Sequence, residues 1–254
     1  MELRGATVLV TGGSSGIGRA IAKTLVDAGA RVAITGRDEK RLAEAAQALK
    51  AMPVCGDVTN EADVRRTVEE VLRSFGHLDV LVNNAGKGIF KPLIDMQRSD
   101  FDAVLATNMT GAMLMAREAA RHFITRNRGN IINIASLVAV IGQLHATTYV
   151  ATKGAVTAFT KALAIDEAAH GVRVNAISPG NIYTPLWQQG MDDSPDPQKT
   201  LAEGKAAQLL GRLGTTEEAA KLCVFLAADA TFTTGVDHYL TAGAELNYGR
   251  KTRI

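Results

Sequence analysis

A strand, a glycine-rich turn and a helix follow one another without a gap near the start of this chain. Thr7-Val8-Leu9-Val10 is the short apolar run of a buried strand. Thr11-Gly12-Gly13-Ser14-Ser15-Gly16-Ile17-Gly18 follows at once, and Arg19 to Ala28 reads as a helix stopped by Gly29. Glycines let a backbone approach a pyrophosphate, and a helix N-terminus offers free N–H groups and positive potential. The spacing is Gly-x-x-x-Gly-x-Gly, not the commoner Gly-x-Gly-x-x-Gly. A tight turn without a ligand is the plain alternative. The position between a strand and a helix favours phosphate binding.

The remaining chain repeats the alternation. Arg31 to Thr35 reads as a second strand and Asp38 to Lys50 as an amphipathic helix. Pro53-Val54-Cys55 is a third strand, Asn60 caps a helix running to Phe75, and Leu78 to Val82 is a fourth strand. Ser99 to Arg126 reads as a long helix interrupted at Asn108, where a kink or a bound water is expected. Gly129 to Ser136 is a fifth strand, and Thr147 or Thr148 opens the next helix. Gly171 to Ser178, the helix from Thr215 to Ala228 and the strand from Gly235 to Thr241 complete the series. This order predicts an α/β chain: one domain over 1–254, a doubly wound parallel sheet with helices on both faces. Pro185 to Leu210 reads as an irregular substrate lid.

In such a sheet the strand ends line a ligand crevice. Asp57 and Val58 follow the third strand, and Asn84, Ala85 and Gly86 follow the fourth. Turn chemistry explains them as well as contact with a nucleotide does. The second strand ends in Thr35-Gly36-Arg37, without the carboxylate that often holds the ribose 2′-hydroxyl of NAD. Arg37 is either a solvated loop cation or the partner of a 2′-phosphate, for which the glycine leaves room. NADP(H) is therefore favoured over NAD(H).

Tyr149 and Lys153 form an i,i+4 pair if the segment after Ala146 is helical. A nearby cation lowers a phenol's pKa, so the pair suits acid/base work. Ser136, at a strand end, can join it over the crevice. On the same helix Ala151, Ala155, Ala158 and Ala162 form one stripe, and Val156, Phe159 and Leu163 another. The alanine stripe can receive a helix of the same chain or of a second subunit.

Bulk properties exclude other classes. The net charge is +2, with Lys and Arg scattered, which gives no case for nucleic acid or a membrane surface. No run has the length of a membrane span, and no signal-peptide pattern opens the chain. Cys55 and Cys223 lie in apolar contexts without Cys-x-x-Cys, so both are expected as buried thiols and no metal is expected. A cytoplasmic protein acting on a small molecule is the reading.

With these motifs in this order, the chain resembles the short-chain dehydrogenase/reductase family over nearly its whole length. The match rests on Thr11 to Gly18, Asn83-Asn84-Ala85-Gly86, Asn108, Ser136, Tyr149 with Lys153, and Pro179-Gly180. The resemblance implies a Rossmann-type domain, a nicotinamide cofactor and hydride transfer between an alcohol and a carbonyl. It implies Tyr149 as general acid/base, Lys153 as its partner, Ser136 on the substrate oxygen and Asn108 holding a water. It places cofactor contacts at Gly12, Gly16, Ile17, Gly18, Asp57, Asn84, Ile182 and Thr184, with Lys153 also on the nicotinamide ribose. Ser14, Ser15, Pro179 and Gly180 are further cofactor candidates beside them. The second half, including Gly243-Ala244-Glu245-Leu246-Asn247-Tyr248-Gly249, is similar to the type 14 17β-hydroxysteroid dehydrogenase group, which is also linked to L-fucose oxidation. Gln143, His145, Tyr183 and Trp187 are the candidate substrate contacts, with surface exposure the alternative for His145. A sugar, polyol or steroid substrate is expected, with 3-oxoacyl-thioester reduction and non-catalytic dinucleotide binding as alternatives. A homo-oligomer, dimer or tetramer, is expected.

Overall fold

Apolar runs set seven strands side by side in the computed structural model, which describes residues 2–246. They are β1 (Thr7–Thr11), β2 (Arg31–Gly36), β3 (Met52–Cys55), β4 (Val80–Asn83), β5 (Gly129–Ile134), β6 (Val172–Pro179) and β7 (Asp237–Leu240). All pair in parallel, in the order β3-β2-β1-β4-β5-β6-β7. Val8, Leu9 and Val10 are fully buried because helices cover both faces of the sheet.

The helices are α1 (Gly16–Asp27), α2 (Glu39–Leu49), α3 (Glu61–Phe75), α4 (Arg98–Leu105), α5 (Gly111–Arg126), α6 (Val138–Ile141), α7 (Thr147–Glu167), α8 (Pro185–Asp192), α9 (Pro197–Ala206) and α10 (Thr216–Ala228). Ile21, Leu25, Leu42 and Leu226 of α1, α2 and α10 pack on one face. Val64, Val71, Met115, Phe123 and Ala164 of α3, α5 and α7 pack on the other. Strand order reverses between β1 and β4, so the crevice opens at their carboxyl ends.

Several local expectations change. Helix α1 begins inside the glycine-rich turn, three residues before Arg19, so Gly18 lies in its first turn. The long helix of the second half is two helices joined by a π turn at Ala106–Thr110 that contains Asn108. Residues 185–210, expected as an irregular lid, are mostly helical. Thr184 and Asp196 cap α8 and α9 by accepting from Trp187 N and Lys199 N, and Pro185 and Pro197 open the two helices. Those prolines act as starts because the first helical residue needs no N–H partner.

Cys223 is buried, and burial pushes its thiol up to about 12. Cys55 is exposed, against expectation, because β3 is the edge strand and its end faces outward. Ala151, Ala158 and Ala162 are exposed, so among the described residues no helix of the same chain covers that stripe. Asn247, Tyr248 and Gly249 lie outside the described residues. Among the described residues no helix is long and apolar enough to cross a membrane, and no cluster of His, Cys, Asp or Glu is placed to hold a metal.

Candidate active site

The two strand ends at the switch point are tied together. Thr11 Oγ1 accepts from Asn84 N and Ala85 N, each at 2.9 Å. Asn84 Nδ2 donates to the carbonyls of Thr11 at 2.9 Å and Gly12 at 3.2 Å. Gly12, at φ +65°, approaches so closely that a Cβ there would sit 3.0 Å from Ala85 Cα. At Gly18 a Cβ would lie 2.3 Å from Asn84 Nδ2 and 2.5 Å from the Gly12 carbonyl. The Asn84 side chain therefore locks the turn, leaving the turn's own backbone to face a ligand.

The start of α1 suits a pyrophosphate. Ser15 caps it without a side-chain hydrogen bond, and no acidic residue stands in the first turn. Its first N–H groups therefore keep their donors and positive potential. The atoms nearest a Cβ at Gly16 would be those of Thr184 and Pro185, at 3.9 Å, so Thr184 stands across from the turn. Ile17 is part-exposed beside it. Pro179 accepts from Leu137 N at 2.9 Å, and a Cβ at Gly180 would lie 2.7 Å from Gln208 Oε1. Ile182 is buried and bridges to Gly214.

At the other end, Arg37 NH1 lies 3.7 Å from Asp57 Oδ2, and both side chains are open enough that water screens the pair. A Cβ at Gly36 would stand 3.6 Å from Ser14 Oγ. Gly36 and Arg37 follow at the end of β2, where the sequence has no carboxylate, and the Asp57 carboxylate reaches Arg37 from the end of β3. Asp57 Oδ1 accepts from Thr59 N and Oγ1. The Val58 side chain is buried in the core against Gly111, so only its backbone is available to a nucleotide.

Over β5 the chemistry-bearing residues converge. Ser136 follows the strand, held by Ala135 N to Ile177 O and Leu137 N to Pro179 O. Tyr149 and Lys153 share one face of α7. Lys153 Nζ lies 5.7 Å from the phenol ring centre and donates to the Ile134 carbonyl at 2.7 Å. Asn108 is buried in the π turn. Its Nδ2 donates to Lys87 O at 2.9 Å and Thr152 Oγ1 at 3.0 Å, and its Oδ1 accepts from Lys87 N at 2.8 Å. Thr152 in turn donates to the Tyr149 carbonyl at 2.8 Å. A Cβ at Gly86 would lie 3.5 Å from Asn108 Oδ1 and 3.7 Å from Lys153 Nζ, so both groups border the space over Gly86.

Burial pushes the Tyr149 phenol above its ordinary 10, and a hydrogen bond with Ser136 opposes the rise. The sequence pointed to a phenol lowered by Lys153. Burial of the phenol dominates instead. Burial also lowers Lys153, to about 8 from 10.5. The unfolded chain then binds this proton more tightly than the folded one. Stability accordingly rises with pH between about 8 and 10.5 through this group, by roughly 3 kcal/mol at most. Urea melts of wild type and Lys153→Met at both ends of that interval check the sign: the variant lacks the rise. An equal rise in both removes the desolvated lysine from the account.

The substrate candidates divide. Gln143 and His145 are exposed and make no side-chain hydrogen bond among the described residues, although the His145 carbonyl accepts from Lys91 N at 2.9 Å. Tyr183 is half exposed and hydrogen-bonds Gln188. Trp187 of α8 sets its ring against Gly204 of α9.

Other residues escaped the sequence reading. Phe90 meets the Tyr149 ring edge-on, at 5.6 Å between centroids. Below the crevice Asn83 Nδ2 donates to Asn133 Oδ1 and Ala112 O, and Asn133 Nδ2 donates to Thr160 Oγ1. That buried chain joins α5, the sheet and α7. Asn130-Ile131-Ile132-Asn133 reads simply as strand, and nothing local marks Asn133.

A family model described as enoyl-(acyl carrier protein) reductase matches residues 12–245. L-fucose dehydrogenase of Mus musculus is 50% identical over 252 residues, covering 97% of this chain and 91% of that protein. A solved structure of a putative gluconate dehydrogenase from Agrobacterium tumefaciens superposes with a TM-score of 0.89 at 36% identity, covering 96% of this chain and 97% of the other. A 3-ketoacyl-(acyl-carrier-protein) reductase from Brucella melitensis, solved with NADH, gives 0.88 at 33% identity, covering 95% and 99%. Fold, crevice and relatives define an oxidoreductase that moves a hydride between a nicotinamide cofactor and an alcohol or carbonyl carbon. The chain belongs to the short-chain dehydrogenase/reductase family.

Proposed function

We propose that this enzyme oxidises a sugar at a ring hydroxyl, a lactol or secondary alcohol, with NADP(H) favoured over NAD(H). The observation that carries the reading is the meeting of Ser136, Tyr149 and a buried Lys153 beside an uncapped phosphate-binding turn. The names of the L-fucose and gluconate dehydrogenases support the sugar.

The bound nicotinamide accepts the hydride in oxidation and supplies it in reduction. Gly12, Ser14, Ser15, Gly16, Ile17 and Gly18 hold the phosphates, and Arg37 with Ser14 holds the 2′-phosphate. Asp57, the backbone of Val58, and Asn84, Ala85 and Gly86 line the nucleoside. Pro179, Gly180, Ile182 and Thr184 close the far side. Tyr149 takes the hydroxyl proton as the carbon becomes a carbonyl, and Ser136 holds the same oxygen. Lys153 steadies the phenolate and the cofactor ribose. Asn108 Oδ1 keeps one lone pair over Gly86, where a water can link it to Lys153 Nζ. Gln143, His145 and Tyr183 border the entrance, and residues 185–210 form the lid. The exposed alanine stripe of α7 seats a second copy in a dimer or tetramer, and the enzyme works in the cytoplasm.

A panel of aldoses, aldonates, polyols, ketosteroids and 3-oxoacyl thioesters, assayed with both cofactors, tests the reading. Aldoses are expected to turn over fastest, with NADP⁺. Turnover confined to thioesters, or none, ends it. For Arg37→Asp, kcat/KM with NADP⁺ is expected to fall about ten- to a hundredfold, the loss of a charge-assisted contact. Unchanged cofactor preference in that variant removes Arg37 from the site.

A further inference from the structure

Sugar sites commonly pair a few polar groups with an aromatic ring, which receives the apolar C–H face of the pyranose. Trp187, the one tryptophan, is engaged elsewhere. A Cβ at Gly204 would fall 2.7 Å from its Cζ2, so its ring closes α8 against α9.

Phe90 stands at the chemistry instead. Its ring centroid is 5.6 Å from that of Tyr149, with the planes at 62°. Gly88 lies beneath it, where a Cβ would come within 2.4 Å of Phe90 Cζ, so only glycine lets the ring fold down. The next residue is pinned twice. Lys91 N donates to the His145 carbonyl at 2.9 Å, and Lys91 Nζ pairs with Asp100 at 2.5 Å. With Gly88 beneath its ring and the Tyr149 ring beside it, Phe90 still keeps 46% of its surface exposed.

We propose that Phe90 is a specificity-determining residue, its open ring receiving the C–H face of a pyranose whose hydroxyl reaches Ser136 and Tyr149. The inference rests on the sugar reading above. A rigid ring loses little entropy on binding, and its negative face attracts polarised C–H groups beyond simple burial. Leucine at this position keeps apolar area but lacks that face, whereas tryptophan keeps it.

The test compares wild type, Phe90→Leu and Phe90→Trp on a pyranose and on an acyclic secondary alcohol with the same cofactor. In Phe90→Leu the ratio of kcat/KM for pyranose over acyclic alcohol is expected to fall about tenfold, through KM. In Phe90→Trp it is expected to stay within about threefold of wild type. Cofactor affinity, read by the fluorescence of the reduced nicotinamide, stays level in both variants. An unchanged ratio in Phe90→Leu overturns the role of Phe90 and leaves the sugar reading standing. A wild-type enzyme that oxidises acyclic alcohols but no pyranose overturns the sugar reading, and the platform with it.

Discussion

In Tyr149→Phe, kcat/KM is expected to fall by about a thousandfold, in the range of a lost general acid/base. Only the phenol oxygen is removed. The ring stays against Phe90, and the Tyr149 carbonyl still accepts from Thr152. Helix α7 keeps its packing, so thermal stability and cofactor affinity are expected to match wild type. The hydroxyl has a partner in Ser136, so its removal relieves no unsatisfied buried group. Rate assays, a melt and a cofactor titration check the three statements together. Activity at the wild-type level would remove Tyr149 from the chemistry, and the proton would need another acceptor at the crevice.

Gly18→Ala is expected to damage the cofactor site and the fold at once. The added methyl would lie 2.3 Å from Asn84 Nδ2 and 2.5 Å from the Gly12 carbonyl. Neither is a free end of a flexible chain, because Asn84 Nδ2 is already bonded to the Thr11 and Gly12 carbonyls. The β1 and β4 ends must then part. Overpacking of this kind costs about 1–3 kcal/mol, and with the turn as the proposed phosphate site cofactor affinity is expected to fall by at least about tenfold. Denaturant melts with and without NADP(H) separate the two effects. A stable variant with normal cofactor binding would show that the two strand ends tolerate separation.

The elements themselves were readable because their signals are local. Asp38, Asn60 and Thr215 each stand just before a periodic apolar run, and each caps its helix as the pattern implies. Residues 185–210 look irregular in sequence because proline breaks a helix interior, but it starts a helix at its first position, and α8 and α9 both begin that way. The interruption at Asn108 was visible as a polar residue near a glycine. Its π-turn geometry depends on the bonds to Lys87 and Thr152, which no local pattern announces.

By itself the sequence determined the parallel doubly wound class, the glycine-rich turn between β1 and α1, and Tyr149 and Lys153 on one helical face. Those follow from periodicities of two and 3.6 residues and from glycine spacing, all properties of neighbours along the chain. Only the tertiary structure decided what surrounds the pair. It set Phe90 against Tyr149, turned Trp187 onto Gly204, brought Arg37 to Asp57, and left the alanine stripe of α7 open. It also decided the titration of the pair, since burial by distant segments outweighs the attraction between neighbours on the helix. The strand ends that sequence order names become a site because parallel pairing in the order β3-β2-β1-β4-β5-β6-β7 gathers them at one edge.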